Sequence, residues 1–149
     1  MGMKLKQCSP RAAEAVMAMD RKSLRIFVVK TLRLLADYYA NYDTGVTAAI
    51  REVLAGGETS FYNSEFAERL KLMSERSDDI YQAMENSGER PEAFQVFYSQ
   101  YLVFYGLSVL TSASRLTREV VDDVFYEFDH ASVHFGDFAP IVEQAINTE

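Results

Sequence analysis

The segment 93–114 constrains the fold most, because it contains no charged residue and no proline over 22 positions. A helix that is apolar nearly all round must be buried, either at the centre of a helical bundle or in a bilayer. Polar side chains such as Gln100 and Ser108 lie inside the segment and make bilayer insertion marginal. We therefore predict a central, aromatic-rich helix at about 91–114, and we expect Gly106 to mark a close crossing with another helix.

Chain breakers are scarce elsewhere too, with seven glycines and three prolines in 149 residues. Apolar residues recur at helical spacing between capping residues, and no segment shows a convincing strand pattern. We predict six or seven helices, drawn from the segments at about 10–19, 20–42, 44–56, 63–88, 91–114, 118–130 and 138–146. Gly56 and Gly57 are expected to close one helix in the left-handed conformation, and Asp137 to open the last. The sequence therefore predicts an all-α, single-domain bundle of mostly antiparallel helices over residues 1–149.

Composition limits the cellular compartment and the kinds of partner that we expect. The single cysteine, Cys8, excludes an internal disulfide, and the N-terminal apolar stretch is too short for a signal peptide, so we expect a cytoplasmic protein. The net charge is −7, but residues 1–59 carry +3 and residues 93–149 carry −6. The acidic C-terminal part argues against nucleic-acid binding, which needs lysine and arginine. It suits a basic protein partner, and we expect no membrane partner.

Both histidines lie in the sequence EFDHASVHFGD, residues 127–137. On a helix, Glu127, His130 and His134 would share one face, and imidazole and carboxylate groups at this spacing can bind zinc or iron. A di-iron bundle, however, needs a second Glu-x-x-His motif and two further glutamates. We favour histidines at a helix C-terminus, where positive charge is favourable, and we predict no metal and no cofactor. A metal-dependent helical enzyme that uses these three residues is the alternative.

The helix predicted at 118–130 has two contrasting faces. One face is apolar, and the opposite face carries Glu119, Asp122, Asp123, Tyr126, Glu127 and His130. We predict that this acidic face binds a partner, because complementary charge orients proteins and accelerates their association. The alternative is a solvated face that only keeps the protein in solution.

A second candidate surface is the sequence DYYANYD, residues 37–43. Tyr38 and Tyr42 are one helical turn apart and share a face, whereas Tyr39 falls on an apolar stripe and is predicted to be buried. Exposed tyrosine beside carboxylate is typical of charge-steered interfaces, so we predict that Asp37, Tyr38, Tyr42 and Asp43 bind a partner. The alternative is that the tyrosines only cover the edge of the bundle.

The sequence shows no catalytic constellation. It contains no phosphate-binding glycine-rich loop, and nothing in it places a base beside Cys8. We therefore predict a small acidic protein-binding module and not an enzyme. Small helical immunity proteins present acids and tyrosines to the basic cleft of a nuclease toxin, and we predict an inhibitor of this physical type with a basic partner. The alternatives are a domain that binds an apolar small molecule along the aromatic helix, and a homodimer.

Overall fold

A computed structural model describes residues 3–56, 60–88, 91–131 and 138–147, without the side chains of residues 91–94. This part of the chain forms eight helices and contains no strand, which confirms the all-α fold class. The helices are α1 (Leu5–Cys8), α2 (Pro10–Ala18), α3 (Arg21–Tyr39), α4 (Thr44–Ala55), α5 (Ser64–Ser87), α6 (Pro91–Ser112), α7 (Arg118–Ala131) and α8 (Ala139–Asn147).

Capping side chains determine where five of these helices begin. Each cap accepts a hydrogen bond from the backbone N–H three residues later, which satisfies a donor that has no partner inside the helix. The caps are Ser9 for α2, Asp20 for α3, Asp43 for α4, Asn63 for α5 and Thr117 for α7. At the other end of α5, Gly88 has a φ of 77° and closes the helix in the left-handed conformation.

Three predicted boundaries need correction or fall outside the described residues. The helix α3 ends at Tyr39 and not near 42, because the chain turns directly into the cap of α4. Gly56 has a φ of −86°, so the left-handed closure predicted there is wrong for this residue. Gly57 and Asp137 lie outside the described residues, and α8 begins at Ala139.

The first helix, α1, was not predicted. It has four residues, which is too short for hydrophobic periodicity to reveal it. Its one buried side chain, Leu5, belongs to the main hydrophobic core. The helix count of six or seven was therefore too low, because a single turn of helix is stabilised here by tertiary contacts rather than by its own pattern.

The helix α6 lies at the centre of the bundle, as predicted. It packs against α4, α5 and α7, while α3 packs against α4 and α8. Its buried apolar residues are Leu102, Val103, Phe104, Leu107 and Leu110. The buried hydroxyls of Ser108 and Thr111 donate to carbonyls of the preceding turn, so their burial leaves no donor unsatisfied. Among the described helices, none combines the length and the hydropathy needed to cross a membrane.

The pairing of α5 with α6 is antiparallel. Contacts join Asn63 to Thr111, Ser74 to Tyr101, Ser77 to Gln100 and Tyr81 to Tyr98. Residue numbers rise along one helix as they fall along the other. This pairing brings the start of α6 alongside the last turns of α5.

The crossing of α6 and α7 is close because Gly106 has no side chain. A β-carbon built at this position would lie 2.8 Å from the Phe128 ring and 3.4 Å from the Val124 carbonyl oxygen. Only glycine allows the two helices to approach this closely without displacing the ring. The predicted role of Gly106 is confirmed.

Candidate protein-binding surface

Asp122, one of the predicted surface acids, is buried. It is 9% exposed, and its two carboxylate oxygens accept the backbone N–H groups of Lys4 at 2.9 Å and Leu5 at 2.7 Å. The carboxylate thus caps α1 from a different helix, since α1 has no side-chain cap of its own. The expectation that Asp122 lies on an exposed acidic face is wrong, because the N-terminal segment packs over the start of α7.

The neighbouring Asp123 is exposed and pairs with Lys4. The Lys4 Nζ atom lies 2.9 Å from the Asp123 carboxylate and 4.9 Å from the centre of the Tyr126 ring. The hydrogen bond to Asp123 and its charge raise the pKa of Lys4. The lysine therefore partly neutralises the acidic face, although an exposed ion pair of this kind is readily exchanged for a partner's charge. Glu119 is exposed in the first turn of the same helix.

Tyr126, Glu127 and His130 lie together further along α7. The rings of Tyr126 and His130 are 4.1 Å apart. The His130 Nδ1–H donates to the Tyr126 carbonyl oxygen at 2.8 Å, because a carbonyl can only accept. Burial raises the pKa of Glu127, while the nearby His130 and Lys4 oppose that rise. Glu127 is therefore a partly desolvated carboxylate next to an oriented imidazole ring.

Tyrosines of α5 and α6 extend this surface, and the sequence interpretation missed them. The Tyr98 ring lies 5.1 Å from Tyr81 and 6.4 Å from Tyr101, and Tyr105 is 42% exposed. Tyr98, Tyr101 and Tyr105 are spaced by three and four residues, so they share one face of α6. That spacing is visible in the sequence, but the prediction of a buried, aromatic-rich helix at about 91–114 places all three in the core.

Carboxylates of two helices flank these tyrosines. Burial raises the pKa of Tyr101, with further contributions from the negative charges of Asp78 on α5 and Glu127 on α7. Burial and Glu127 raise the pKa of Tyr98 in the same way. Acids of α5 and of α7 thus lie near the same row of phenol rings. We name Asp78, Tyr81, Tyr98, Tyr101, Tyr105, Tyr126, Glu127 and His130 the tyrosine–acid surface.

Residues 37–43, the second predicted binding surface, are partly exposed and partly buried. Tyr38 and Tyr42 stack with ring centres 5.2 Å apart, and their hydroxyl oxygens are 3.3 Å apart. Tyr42 is 55% exposed and Asp37 is exposed as well. Burial and the hydrogen bond to Tyr42 raise the pKa of Tyr38 to about 12, so the Tyr38 hydroxyl is uncharged at neutral pH. Tyr39 is fully buried and bonds to Ser99, which confirms its predicted place in the core.

Asp43 is committed to internal hydrogen bonds. One carboxylate oxygen accepts the Val46 N–H at 3.1 Å, and the other accepts from Gln100 Nε2 at 2.7 Å. Gln100 in turn accepts the hydroxyl of Ser77 at 3.1 Å. Asp43 therefore joins the start of α4 to α6 and α5, which leaves Asp37 as the exposed acid beside the stacked tyrosines.

The described residues contain no group of three histidine, cysteine, aspartate or glutamate side chains close enough to hold a metal ion. Glu127 and His130 are on the same helix, but His134, the third ligand considered, lies outside the described residues. The metal-dependent alternative therefore has no support from the described geometry.

A scan of protein-family models, a search of curated proteins and a search of solved structures found no match for this chain.

Proposed function

We propose that this protein is a protein-binding module that docks a basic partner through the tyrosine–acid surface. The observation that carries the proposal is the row of partly exposed tyrosines on α6, which lies near enough to Asp78 of α5 and Glu127 of α7 for both charges to raise the pKa of Tyr101. An inhibitor of the immunity type, acting on a toxin or nuclease, is the specific form that we propose.

The aromatic part of the surface supplies binding area. A tyrosine ring gives a large contact surface with few rotatable bonds, so little side-chain entropy is lost when a partner binds. Tyr98 and Tyr101 are already packed against neighbouring rings, and their orientation is set before binding. Pre-organised aromatic side chains of this kind often dominate the affinity of protein interfaces.

The carboxylates of the surface are expected to orient the partner and to accelerate its association. Asp78 and Glu127 lie on different helices beside the same tyrosine, so lysine or arginine side chains of a partner would meet carboxylates on both sides of the rings. Opposite charges steer the encounter and exclude partners of the wrong sign. Arginine also stacks favourably on tyrosine faces, which makes an arginine-rich partner the best match.

The test begins with capture of the partner from the native cell by the tagged full-length chain. Tyr101→Ala removes the ring that faces both acids, and we expect it to weaken binding of the captured protein at least about tenfold. Tyr62→Ala is the matched control, because Tyr62 is 50% exposed but belongs to the loop before α5. Thermal unfolding of both variants shows whether they remain folded.

Three results would overturn the proposal. The first is equal loss of binding in the Tyr101 and Tyr62 variants. The second is a captured partner with no basic surface. The third is full binding by a folded Tyr101→Ala variant, which would move the interface away from α6.

A further inference from the structure

A small cavity lined by arginines lies apart from the tyrosine–acid surface. It is formed by the start of α3, the segment 60–61 before α5 and the loop that joins α6 to α7, and its volume is about 110 Å³. Its polar walls come from three arginines and two serines, namely Arg21, Arg25, Arg115, Ser60 and Ser114. Among the described residues that line it, none is a carboxylate. In a chain with a net charge of −7, this is a local concentration of positive charge.

The fold holds the arginines around this space. Arg21 and Arg25 are one turn apart on α3, so their side chains leave the same face of the helix. The guanidinium group of Arg25 lies 6.0 Å from the centre of the Phe61 ring, and Phe61 is buried. Contact with an aromatic ring orients a guanidinium group and limits its motion. Arg115 comes from the loop after α6, so arginines of two separate parts of the chain line the same cavity.

This arrangement matches the chemistry of an oxyanion. Guanidinium groups are charged donors of fixed geometry, and phosphate accepts paired hydrogen bonds from arginine. The serine hydroxyls supply further donors. The cavity is much smaller than the roughly 300–1,000 Å³ typical of sites for whole organic ligands, so it fits one phosphate group and not an entire metabolite.

A neighbouring depression offers room for the rest of a ligand. Its volume is about 250 Å³, and it shares Arg21 and Leu116 with the cavity. Met19 and Leu24 add apolar lining, while the acids Asp20 and Glu119 belong to this depression and not to the cavity. We propose that the cavity binds the phosphate group of a small phosphate monoester, with the organic part of the ligand lying in the depression. This proposal is independent of the protein-binding function.

The test is a titration of the ¹⁵N-labelled full chain with inorganic phosphate and with phenyl phosphate at constant ionic strength. We expect saturable shifts of the backbone amide signals of Ser60, Phe61, Ser114 and Arg115. Phenyl phosphate should bind more tightly than inorganic phosphate, because its ring can contact the apolar lining of the depression.

Substitutions of single arginines distinguish a specific phosphate site from general electrostatic attraction of anions. Arg115→Gln and Arg25→Gln should each weaken phenyl phosphate binding by about tenfold, since each removes charge-assisted hydrogen bonds. Arg33→Gln is the matched control, because Arg33 is an exposed arginine on the same helix, α3, and does not line the cavity. Arg115 is exposed, so its substitution keeps the test valid even if loss of the Arg25–Phe61 contact weakens the fold.

Each result that contradicts these expectations excludes a stated part of the proposal. Absence of saturable shifts with both phosphates would overturn the site. Equal weakening by Arg33→Gln and Arg115→Gln would show attraction by net charge only. Equal affinity for the two phosphates would overturn the monoester assignment and leave free phosphate as the ligand, and equally tight binding of acetate would overturn the assignment to phosphate.

Discussion

At the scale of single residues, Asp122 and Asp123 show how neighbouring acids acquire different roles. Both were predicted to lie on one acidic face, and they are adjacent in the sequence. Asp122 points under the N-terminal segment and caps α1, whereas Asp123 stays exposed beside Lys4. The difference depends on where residues 4 and 5 pack, more than 110 positions away in the chain. Periodicity within α7 contains no information about that contact.

Asp122→Ala is expected to destabilise the protein by about 1–3 kcal/mol, because two backbone N–H groups lose a charged acceptor in a buried setting. Asp123→Ala removes the same side chain from the next position, where only an exposed ion pair is lost. Its expected effect is within about 0.5 kcal/mol. Chemical denaturation of the two variants measures both values, and equal destabilisation would contradict the capping role.

Glu127→Gln is expected to stabilise the folded protein at about pH 7. Burial raises the pKa of Glu127 above its ordinary value of 4.5, so the ionised form is less favourable in the folded than in the unfolded state. This penalty is present above the folded pKa and disappears as the pH falls below the unfolded pKa. The gain in melting temperature should therefore vanish at about pH 3.5.

Glu119→Gln provides the control for the Glu127 measurement. It removes an exposed charge from the first turn of α7, where a carboxylate is favourable for the helix, so no gain is expected. Thermal unfolding at the two pH values compares the variants. A gain for Glu127→Gln that is equally large at both pH values would exclude ionisation of Glu127 as its cause.

At the scale of helices, local signals predicted most boundaries correctly. Asp20, Asp43 and Asn63 each cap the helix that follows, and Gly88 closes α5 as expected. These devices act within three or four residues, so they can be recognised without knowing the fold. The face of α6 that carries Tyr98, Tyr101 and Tyr105 was not recognised, because tyrosine fits both a core and an interface.

The crossing of α6 and α7 gives a prediction at this scale. Gly106→Ala should destabilise the protein by about 1–3 kcal/mol, because its β-carbon would lie 2.8 Å from the Phe128 ring in a packed core. This destabilisation would be opposite to the effect of intrinsic helix propensity, which favours alanine over glycine by about 1 kcal/mol.

Gly45→Ala is the matched control for the helix crossing. A β-carbon at this position in α4 would meet only the Asp43 carboxylate oxygen at 3.4 Å, so the substitution should be neutral or stabilising. Denaturant unfolding of both variants measures the change in the free energy of unfolding that each substitution causes. A Gly106→Ala protein as stable as the original would mean that the two helices separate at little cost.

At the scale of the whole molecule, uneven charge creates two surfaces of opposite character. Acids of α5 and α7 flank the tyrosines of α6, while the start of α3 and the loop after α6 contribute three arginines to one cavity. Folding brings these groups together from distant parts of the chain. An overall net charge of −7 conceals this separation.

Association with the basic partner is expected to slow steeply as salt is added. The distance over which charges act falls from about 10 Å at 0.1 M salt to about 3 Å at 1 M, so long-range steering is lost. Stopped-flow mixing at several ionic strengths measures the association rate. The dissociation rate should change less, because the tyrosine contacts are short-range. An association rate independent of salt would remove the electrostatic part of the proposed function.

The amino-acid sequence by itself determined the all-α class, the central position of α6 and the close crossing at Gly106, because helical periodicity, caps and a missing side chain act locally. Only the tertiary structure decided which acids stay at the surface. Asp122 and Asp43 became internal hydrogen-bond acceptors through residues far away in the chain. It also brought tyrosines of three helices together and placed Arg115, Arg21 and Arg25 around one cavity. Such groupings depend on how helices pack against one another, and the pattern within any one helix does not specify that packing.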